Sequence, residues 1–582
     1  MSQPKPHTFI HPLLGPLTGL SGLPHTPNTT QFRSVPFASI PSRFKQSVLL
    51  DHIPSSSGSR NLTQYGPACP APAQDNQTAA AGGLLPGEEE NEFDEINCLN
   101  LTISAPTESL CGKDGTEGLA VMVYVHGGAF AEGAGHISVL HDTTHLVELS
   151  IKECHPVIIV SIHYRLHFLG FLACSDLYHE AHTLNTPRCN FGLHDQRNAF
   201  LWIKRFISGF GGSPNNITAF GESAGSGSIA MHMCSNVPLF NRAILLSGTT
   251  AACPPVAMKY KEAEYLELLR YCSIDEEDPD RLNKLRDVPV ELLVDAIKGV
   301  GIPLFRSYRD EGFWPDGFPG YFTEGKLIAG CEWVDEIIIG DSFFEGSFLM
   351  NTMRSVPRDA FIALSHEALG PSNAEQILSA YDITPSTDPN PFWTRISYLM
   401  GDVMFSSPTH NLAKSLITNL GNKKKIYRYT QTVRNPFPGS PVYQVAGPHS
   451  IDSFFLFGTL RERYPTKKLR DLSEEFGKRW LRFAAGIEPW AQYETKEEKI
   501  MVINGITGFD LRSQEDDTID SAASEEGVRR YEGWEAIADV MQKLAEGDHG
   551  RENGEKARME WGTDGGVFRL AGLQGPYGVV LP

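Results

Sequence analysis

The stretch that decides the fold is GGSPNNITAFGESAGSGS, residues 211–228, with a G-x-S-x-G pattern at 221–225. Residues 217–220 are apolar or β-branched and predict a short buried strand. Residues 225–233 are small and then apolar, as in a helix that packs against a sheet. A strand, a sharp turn and a helix form a nucleophile elbow, which would hold the hydroxyl of Ser223 clear of the sheet. The two glycines of the pattern suit a turn in which a β-carbon would collide with the neighbouring strand or helix.

Composition excludes several classes of function. The chain has 582 residues, is 41% hydrophobic and carries a formal net charge of −20. This negative charge argues against nucleic acid and anionic membrane surfaces as partners. The chain has no apolar run of the ~18–20 residues that a membrane span needs, and its first residues have no continuous apolar core of a signal peptide. We therefore expect a cytoplasmic protein without a membrane span.

Ten cysteines in a chain of this length do not form a disulfide scaffold. Cys69 and Cys98 flank a polar segment and could close it as a disulfide in an oxidising compartment. Two free thiols are the equally acceptable alternative, so both possibilities stay open.

Apolar and β-branched runs that suit the middle of a sheet recur along the chain. They lie at residues 99–103, 121–125, 156–162, 242–247, 336–340 and 425–429. Residues 195–210 have the apolar spacing of a helix. Strands that alternate with helices predict an α/β fold with a large, mostly parallel central sheet flanked by helices. Residues 252–335 and 355–415 are more helical in pattern, and we expect them to form cap regions over the site.

The organisation predicted from these patterns is a single α/β-hydrolase domain over residues 1–512. Residues 513–582 are polar and acidic, and we interpret them as a C-terminal extension with one helix at 528–544. The last ~30 residues are expected to be loosely ordered, as chain ends often are.

A serine nucleophile needs hydrogen-bond donors for the oxyanion of its tetrahedral intermediate. The predicted strand at 121–125 runs into His-Gly-Gly-Ala-Phe at 126–130, where small residues let backbone N–H groups approach a reacting carbonyl. The candidate donors are the amides of Gly128, Ala129 and Ala224. A glycine-rich turn without function is the alternative, but the serine motif downstream makes it the weaker one.

The serine also needs a base, and the base needs an orienting acid. The strand at 336–340 leads to Asp341 and Glu345, and Glu345 is preferred because an apolar setting holds a carboxylate only if it has a partner. Asp341 would then cap the following helix. His449, in a Gly/Pro loop before an apolar segment, is the candidate base among 19 histidines. The order Ser223, Glu345, His449 is the nucleophile–acid–base order of α/β-hydrolases.

These motifs together resemble the type-B carboxylesterase family, which includes cholinesterases and fungal lipases. The resemblance covers about residues 30–490 and rests on ordered motifs. These are CLNL at 98–101, HGGAF at 126–130, HYRLHFLGFL at 163–172, NFGLHDQRNAFLWI at 190–203, FGGSPNNITAFGESAG at 210–225, DGF at 316–318, FEGS at 344–347 and AGPHSID at 446–452.

The resemblance implies an α/β-hydrolase fold with Ser223, Glu345 and His449 as the triad and Gly128, Ala129 and Ala224 as the oxyanion hole. It also implies a supporting network around the histidine. This network would consist of Glu222, Ser247 and Asp452. Hydrogen bonds that only stabilise the fold are an equally good interpretation of these three residues.

The sequence departs from the family pattern at three places. Asn97 stands where an acidic residue is usual, and no cysteine follows Cys272 closely enough for the second disulfide of secreted relatives. The segment from Cys69 to Cys98 has no Trp or Tyr, which cholinesterase-like members use to hold quaternary ammonium groups. Choline esters are therefore not expected as substrates.

The predicted function is hydrolysis of a small, apolar carboxylic ester through an acyl-enzyme, with no metal or cofactor. Transfer of the acyl group to an alcohol or amine, or ring closure, is the first alternative, because it differs only in how well the pocket excludes water. A non-catalytic scaffold, as some members of the family are, is the second alternative. The sequence does not indicate the oligomeric state.

Overall fold

The computed structural model describes residues 4–53, 60–72, 76–83, 92–111, 118–184, 189–301, 304–418, 423–522 and 529–546. Its strands, in chain order, are β1 (Lys5–His11), β2 (Gly15–Leu23), β3 (Thr26–Pro36), β4 (Ala38–Ser39), β5 (Val48–Leu49), β6 (Arg60–Asn61), β7 (Asn100–Pro106), β8 (Leu119–Val125), β9 (Val157–Ile162), β10 (Gly212–Glu222), β11 (Arg242–Leu246), β12 (Glu336–Ser342), β13 (Lys425–Gln431), β14 (Ile500–Asn504) and β15 (Gly508–Arg512).

The α-helices are α1 (Asn76–Ala80), α2 (Ser138–His141), α3 (Thr144–Lys152), α4 (His167–Phe171), α5 (Ser175–Leu184), α6 (Phe191–Phe206), α7 (Ala224–Met233), α8 (Met258–Tyr271), α9 (Arg281–Arg286), α10 (Val290–Val300), α11 (Glu324–Ala329), α12 (Met350–Met353), α13 (Arg358–Leu369), α14 (Pro371–Ala380), α15 (Pro389–Gly401), α16 (Ser407–Thr418), α17 (Ile451–Phe457), α18 (Lys467–Ala484), α19 (Gln514–Ala522) and α20 (Tyr531–Glu546). A π-helical turn, Asp402–Ser406, joins α15 to α16.

The described strands form one large mixed sheet and a small two-stranded one. The order in the large sheet is β1-β2-β3-β7-β9-β8-β10-β11-β12-β13-β14-β15, with β6 beside β2. The seven strands from β9 to β14 along this order pair in parallel, and the strands beyond them in this order pair antiparallel, whereas β6 pairs with β2 in parallel. The predicted fold class, a large and mostly parallel sheet flanked by helices, is therefore confirmed.

The central strands are buried on both faces, which explains their continuous apolar sequences. Along β8, Val121, Val123 and Val125 belong to one core cluster. Met122 and Tyr124, the alternate residues, belong to the other. Because successive side chains of a strand point to opposite faces, the sheet separates two cores that the helices cover.

The apolar runs predicted as strands begin at residue 99, so they do not include the antiparallel N-terminal part of the sheet. β1, β2 and β3 form a meander that pairs with β7, and buried residues such as Phe9, Leu17 and Phe32 anchor it to the core. The Gly, Pro and Thr content of this stretch hides the strand pattern, because pairing and burial override local propensity at the edge of a sheet.

Helices also fill the stretches predicted to form caps, with α8–α11 in 252–335 and α13–α16 in 355–415. Beyond residue 512 the structure places α19 and α20, and α20 overlaps the helix predicted at 528–544. Its Trp534, Ile537 and Met541 are buried against the rest of the protein. Residues 547–582, including the last ~30 that the sequence predicts to be loosely ordered, lie outside the described residues. None of the helices in the described part of the chain has the length and apolar character that a membrane crossing requires.

Candidate active site

Ser223 occupies the sharp turn between β10 and α7. Its backbone has φ 55° and ψ −120°, a strained conformation for a residue with a side chain. The turn is held because the Ser223 N–H donates to the carbonyl of Leu246, at 2.9 Å. A β-carbon on Gly225 would lie 2.0 Å from the carbonyl oxygen of Val125, so only glycine fits there. The strand, turn and helix predicted from the motif are present.

His449 connects Ser223 to Glu345. Its Nε2 lies 3.1 Å from Ser223 Oγ, and its Nδ1 lies 2.5 Å from Glu345 Oε2. An ionised carboxylate can only accept, so Nδ1 donates to Glu345, and in the neutral imidazole Nε2 is left to accept the hydroxyl proton of Ser223. This tautomer is the one that a general base beside a serine requires.

Two loops bring the acid and the histidine together at the carboxyl ends of β12 and β13. The N–H of Phe344 donates to Gly447 O at 2.7 Å, which pairs the turn before Glu345 with the loop before His449. The His449 N–H donates to Ser347 Oγ at 3.0 Å. Glu345 is fixed in turn, because its Oε1 accepts the Ser342 N–H at 2.6 Å.

Asp341, the alternative acid, has a different role from the predicted helix cap. It lies within β12, fully buried, and forms an ion pair with Arg428 of β13 at 2.8 Å. The prediction that Asp341 caps a helix was wrong, because the strand extends through Ser342 and a buried arginine is its partner.

The predicted oxyanion loop, residues 126–130, follows β8 and lies directly beside Ser223. A β-carbon on Gly127 would lie 3.1 Å from Ser223 Cβ. Gly128, Ala129 and Phe130 all have positive φ, of 100°, 55° and 56°. The carbonyls of this loop are bonded inward, since Ala129 O accepts from Phe305 N at 3.1 Å and Phe130 O accepts from His167 N at 2.6 Å.

The backbone amides at this turn are a separate feature of the site. The N–H groups of Gly128, Ala129 and Ala224 donate to no other group in the described part of the chain. Ala224 is also the first residue of α7, where the helix dipole favours negative charge. The arrangement suits an oxyanion, as expected for the family motif.

The three residues of the predicted supporting network have different partners. Glu222 Oε1 is 3.2 Å from His449 Nε2 and also accepts the Ser450 hydroxyl at 2.5 Å. Asp452 accepts the hydroxyl of Tyr429 at 2.6 Å. Ser247 Oγ lies 3.4 Å from Ser342 Oγ, and the backbone N–H of Ser342 donates to Glu345. Only Glu222 of this set therefore has a direct contact with the imidazole among the contacts described.

Aromatic rings cover the imidazole, a feature that sequence reasoning missed. The ring centre of Phe405 lies 4.6 Å from that of His449, and the ring centre of Phe348 lies at 5.3 Å. Phe405 is buried in the π-helical turn, whereas Phe348 is 39% exposed. No local signal reveals Phe405, because the extra residue of a π-turn changes which side chain faces the site.

Comparison with known proteins identifies the family of the chain. A model of the carboxylesterase family matches residues 7–508. The chain belongs to the carboxylesterase family. It is 27% identical to Lipase 3 of Yarrowia lipolytica (strain CLIB 122 / E 150), over 79% of this chain and 85% of that protein. It is 28% identical to the inactive carboxylesterase-like protein VdtD of Byssochlamys spectabilis, over 75% of this chain and 77% of that protein.

The fold is likewise shared with solved structures. A structure of a PNB esterase superposes with a TM-score of 0.68 and 23% identity, covering 87% of this chain and 97% of that one. The resemblance to type-B carboxylesterases and the α/β-hydrolase fold are thus confirmed. Membership of the family identifies the chain as a carboxylic-ester hydrolase.

Buried carboxylates shift the pKa values of the titratable groups at the site of this carboxylesterase. Burial lowers the pKa of His449, but the negative charges of Glu222 and Glu345 outweigh it and raise that pKa to about 9. Burial also raises the pKa of Glu222 to about 7, although the charge of His449 opposes this. Burial raises the pKa of Asp452 to about 6, against the hydrogen bond from Tyr429. The site is therefore built to stabilise a positively charged imidazole.

Cys69 and Cys98 are both buried free thiols in this carboxylesterase, which corresponds to the second of the two possibilities left open by the sequence. Cys69 Sγ accepts the N–H of Leu166 at 3.4 Å. Burial acts to raise the pKa of Cys69, but hydrogen bonds from Cys98 and His167 lower it to about 6.

The cytoplasmic location expected from the sequence stays a prediction. The described residues contain no group of three or more His, Cys, Asp or Glu side chains that could hold a metal ion.

Proposed function

We propose that the protein hydrolyses an apolar carboxylic ester through an acyl-enzyme on Ser223, with His449 as the base and Glu345 as the orienting acid. The observation that carries this proposal is the pair of contacts made by one imidazole, 3.1 Å to Ser223 Oγ and 2.5 Å to Glu345 Oε2. A general base must lie within hydrogen-bond reach of the proton that it removes, and this one does.

In the first half of the reaction, His449 Nε2 takes the proton of Ser223 and Oγ forms a bond with the ester carbonyl carbon. The carbonyl electron pair moves to oxygen, and the amides of Gly128, Ala129 and Ala224 donate to it. Collapse of this intermediate breaks the bond to the alcohol oxygen, which leaves with the proton from His449. The acyl group is then bound to Ser223.

In the second half, water replaces the alcohol. His449 removes a proton from water, the hydroxide adds to the acyl carbon, and the acid leaves as Ser223 regains its proton. In both halves the imidazole becomes positive next to Glu345 and Glu222. The buried carboxylates therefore stabilise the charge that develops in the transition state.

The proposed apolar substrate is supported by the surface beside the imidazole. Phe348 and Phe405 lie against the imidazole that would protonate the leaving alcohol, and rings of this kind favour apolar groups. The similarity to proteins named as lipases and a PNB esterase also supports an ester substrate of this kind.

The test is a series of p-nitrophenyl esters from acetate to palmitate, with Ser223→Ala as the control. We expect a rapid burst of p-nitrophenol equal to the enzyme concentration, followed by steady turnover with an optimum chain length. Product analysis with an added alcohol detects acyl transfer. Equal rates for wild type and Ser223→Ala would overturn the proposal.

A further inference from the structure

Arg530 links the C-terminal segment to both sides of the candidate triad. It lies in residues 529–546, beyond the part of the chain that the family model matches. Its Nε and Nη2 donate to the two carboxylate oxygens of Asp402, at 2.6 and 2.9 Å. Nη2 also donates to the carbonyl oxygen of Phe343, at 2.8 Å. One guanidinium therefore joins two elements that are far apart in sequence.

Each of these elements carries part of the site. Phe343 lies two residues before Glu345, in the turn that places the acid. Asp402 begins the π-helical turn, and Phe405 of the same turn packs against His449. We propose that Arg530 is a positioning residue that sets the placement of Glu345 relative to His449, an inference that rests on the proposed function.

Arginine suits this role because its planar fork can serve a carboxylate and a carbonyl at once. The side chain is only 14% exposed, and the carboxylate of Asp402 is fully buried. The guanidinium carbon also lies 4.1 Å from the ring centre of Tyr398, and that ring packs on Phe344 at 4.2 Å. A bidentate ion pair and a stacked ring restrict the guanidinium to one orientation.

The alternative is that Arg530 only attaches the C-terminal segment to the protein. That role would not affect the protonation of His449. A positioning role would, because the hydrogen bond and charge of Glu345 help to raise the pKa of that imidazole. The other carboxylates that act on His449, Glu222 and Asp452, are held by Ser450 and Tyr429, so we expect them to keep their places when Arg530 is changed.

Loss of Arg530 should therefore have two effects on the full-length enzyme. Displacement of the acid turn lowers kcat, about tenfold in Arg530→Lys and about a hundredfold in Arg530→Met, since small errors of alignment cost this much. A weaker contact with Glu345 lowers the pKa of His449, so the acidic limb of the kcat/KM profile moves to lower pH. KM should change little.

Asp517→Asn is the matched control. Asp517 is a buried carboxylate that holds the same segment, through the Tyr531 hydroxyl at 2.6 Å and Arg529 at 3.6 Å, rather than through Asp402. We expect this variant to unfold at lower temperature but to keep kcat and the pH profile. Asp402→Asn, which weakens the same link from the other side, should shift the profile as the Arg530 variants do.

All rates are divided by the active fraction, obtained by titration with a fluorophosphonate, so a poorly folded variant is not mistaken for a slow one. Wild-type kcat and an unmoved acidic limb in Arg530→Lys or Arg530→Met would overturn the inference. Equal shifts of the acidic limb in Asp517→Asn would also overturn it, since any loosening of the C-terminal segment would then produce the effect. If wild type itself fails to turn over esters, the proposed function fails instead.

Discussion

Replacing Glu222 by Gln removes one buried negative charge beside the candidate triad and leaves the shape of the side chain almost unchanged. In the structure Glu222 Oε1 lies 3.2 Å from His449 Nε2, the nitrogen that must accept the serine proton. Gln can still accept the Ser450 hydroxyl that now binds this oxygen. The substitution therefore isolates the effect of charge.

The size of the effect follows from the distance. Two unit charges 3.2 Å apart interact by about 5 kcal/mol at an effective dielectric constant of 20, and about 1.4 kcal/mol corresponds to one pKa unit. This upper limit of almost four units is reduced because the Ser450 hydroxyl, which donates to Glu222 Oε1, offsets part of the carboxylate's charge. We expect the pKa of His449 to fall by about two units from its value of about 9.

The sign of the change is specific. His449 accepts a proton only when it is neutral, so kcat/KM of the wild type rises with pH through the raised pKa of the imidazole. In Glu222→Gln this rise moves to lower pH. The plateau falls about tenfold, because a weaker base and a lost negative charge both destabilise the transition state.

The assay is kcat/KM for p-nitrophenyl acetate between about pH 5 and pH 10 at constant ionic strength. Asp452→Asn is the charge-matched control, because Asp452 bonds to Tyr429 and acts on His449 only through its field. Its acidic limb should move less than that of Glu222→Gln. An unmoved or upward-shifted limb in Glu222→Gln, or equal shifts in the two variants, would refute the reasoning.

Three further substitutions test other parts of the site and the core. Glu345→Gln keeps a hydrogen-bond acceptor for His449 Nδ1 but loses the negative charge, so kcat should fall about 10³-fold while the unfolding temperature stays unchanged. A loss of kcat below about tenfold would contradict the role of Glu345 as the orienting acid. Gly128 has φ 100°, and a β-carbon there would lie 2.2 Å from Glu132 O, so Gly128→Ala should displace the loop. We expect kcat to fall ~10²–10³-fold with little change in KM. A wild-type kcat would show that this loop does not bind the oxyanion. Asp195→Asn removes the charged partner of the buried Arg165, which lies 2.7 Å away in the structure. The free energy of unfolding, measured with urea, should fall by about 3–5 kcal/mol. A fall of less than ~1 kcal/mol would contradict this prediction.

The central strands and the order of the site residues could be predicted from the sequence because their signals are local. Parallel strands buried on both faces have continuous apolar sequences, and the turn at Ser223 requires small neighbours. Glu345 was preferred to Asp341 because an apolar setting requires a partner for a carboxylate, but the structure gives both carboxylates a partner, and the Arg428 that pairs with Asp341 could not be foreseen.

The features that were missed depend on contacts between distant parts of the chain. The pairing of Arg530 with Asp402 joins residues 128 positions apart, and no pattern in either stretch indicates it. Phe405 faces His449 only because a π-turn interrupts the helical period. The antiparallel strands at the N-terminal end are stabilised by burial of Phe9 and Phe32, which propensity does not show.

The most direct test of the account is to map the adduct of a fluorophosphonate on the intact wild-type protein by mass spectrometry. The account predicts one adduct per chain, on Ser223, with labelling lost in Ser223→Ala and slowed in Glu345→Gln. Absence of labelling in folded wild type, or an adduct on a different serine, would contradict the claim that His449 and Glu345 activate Ser223.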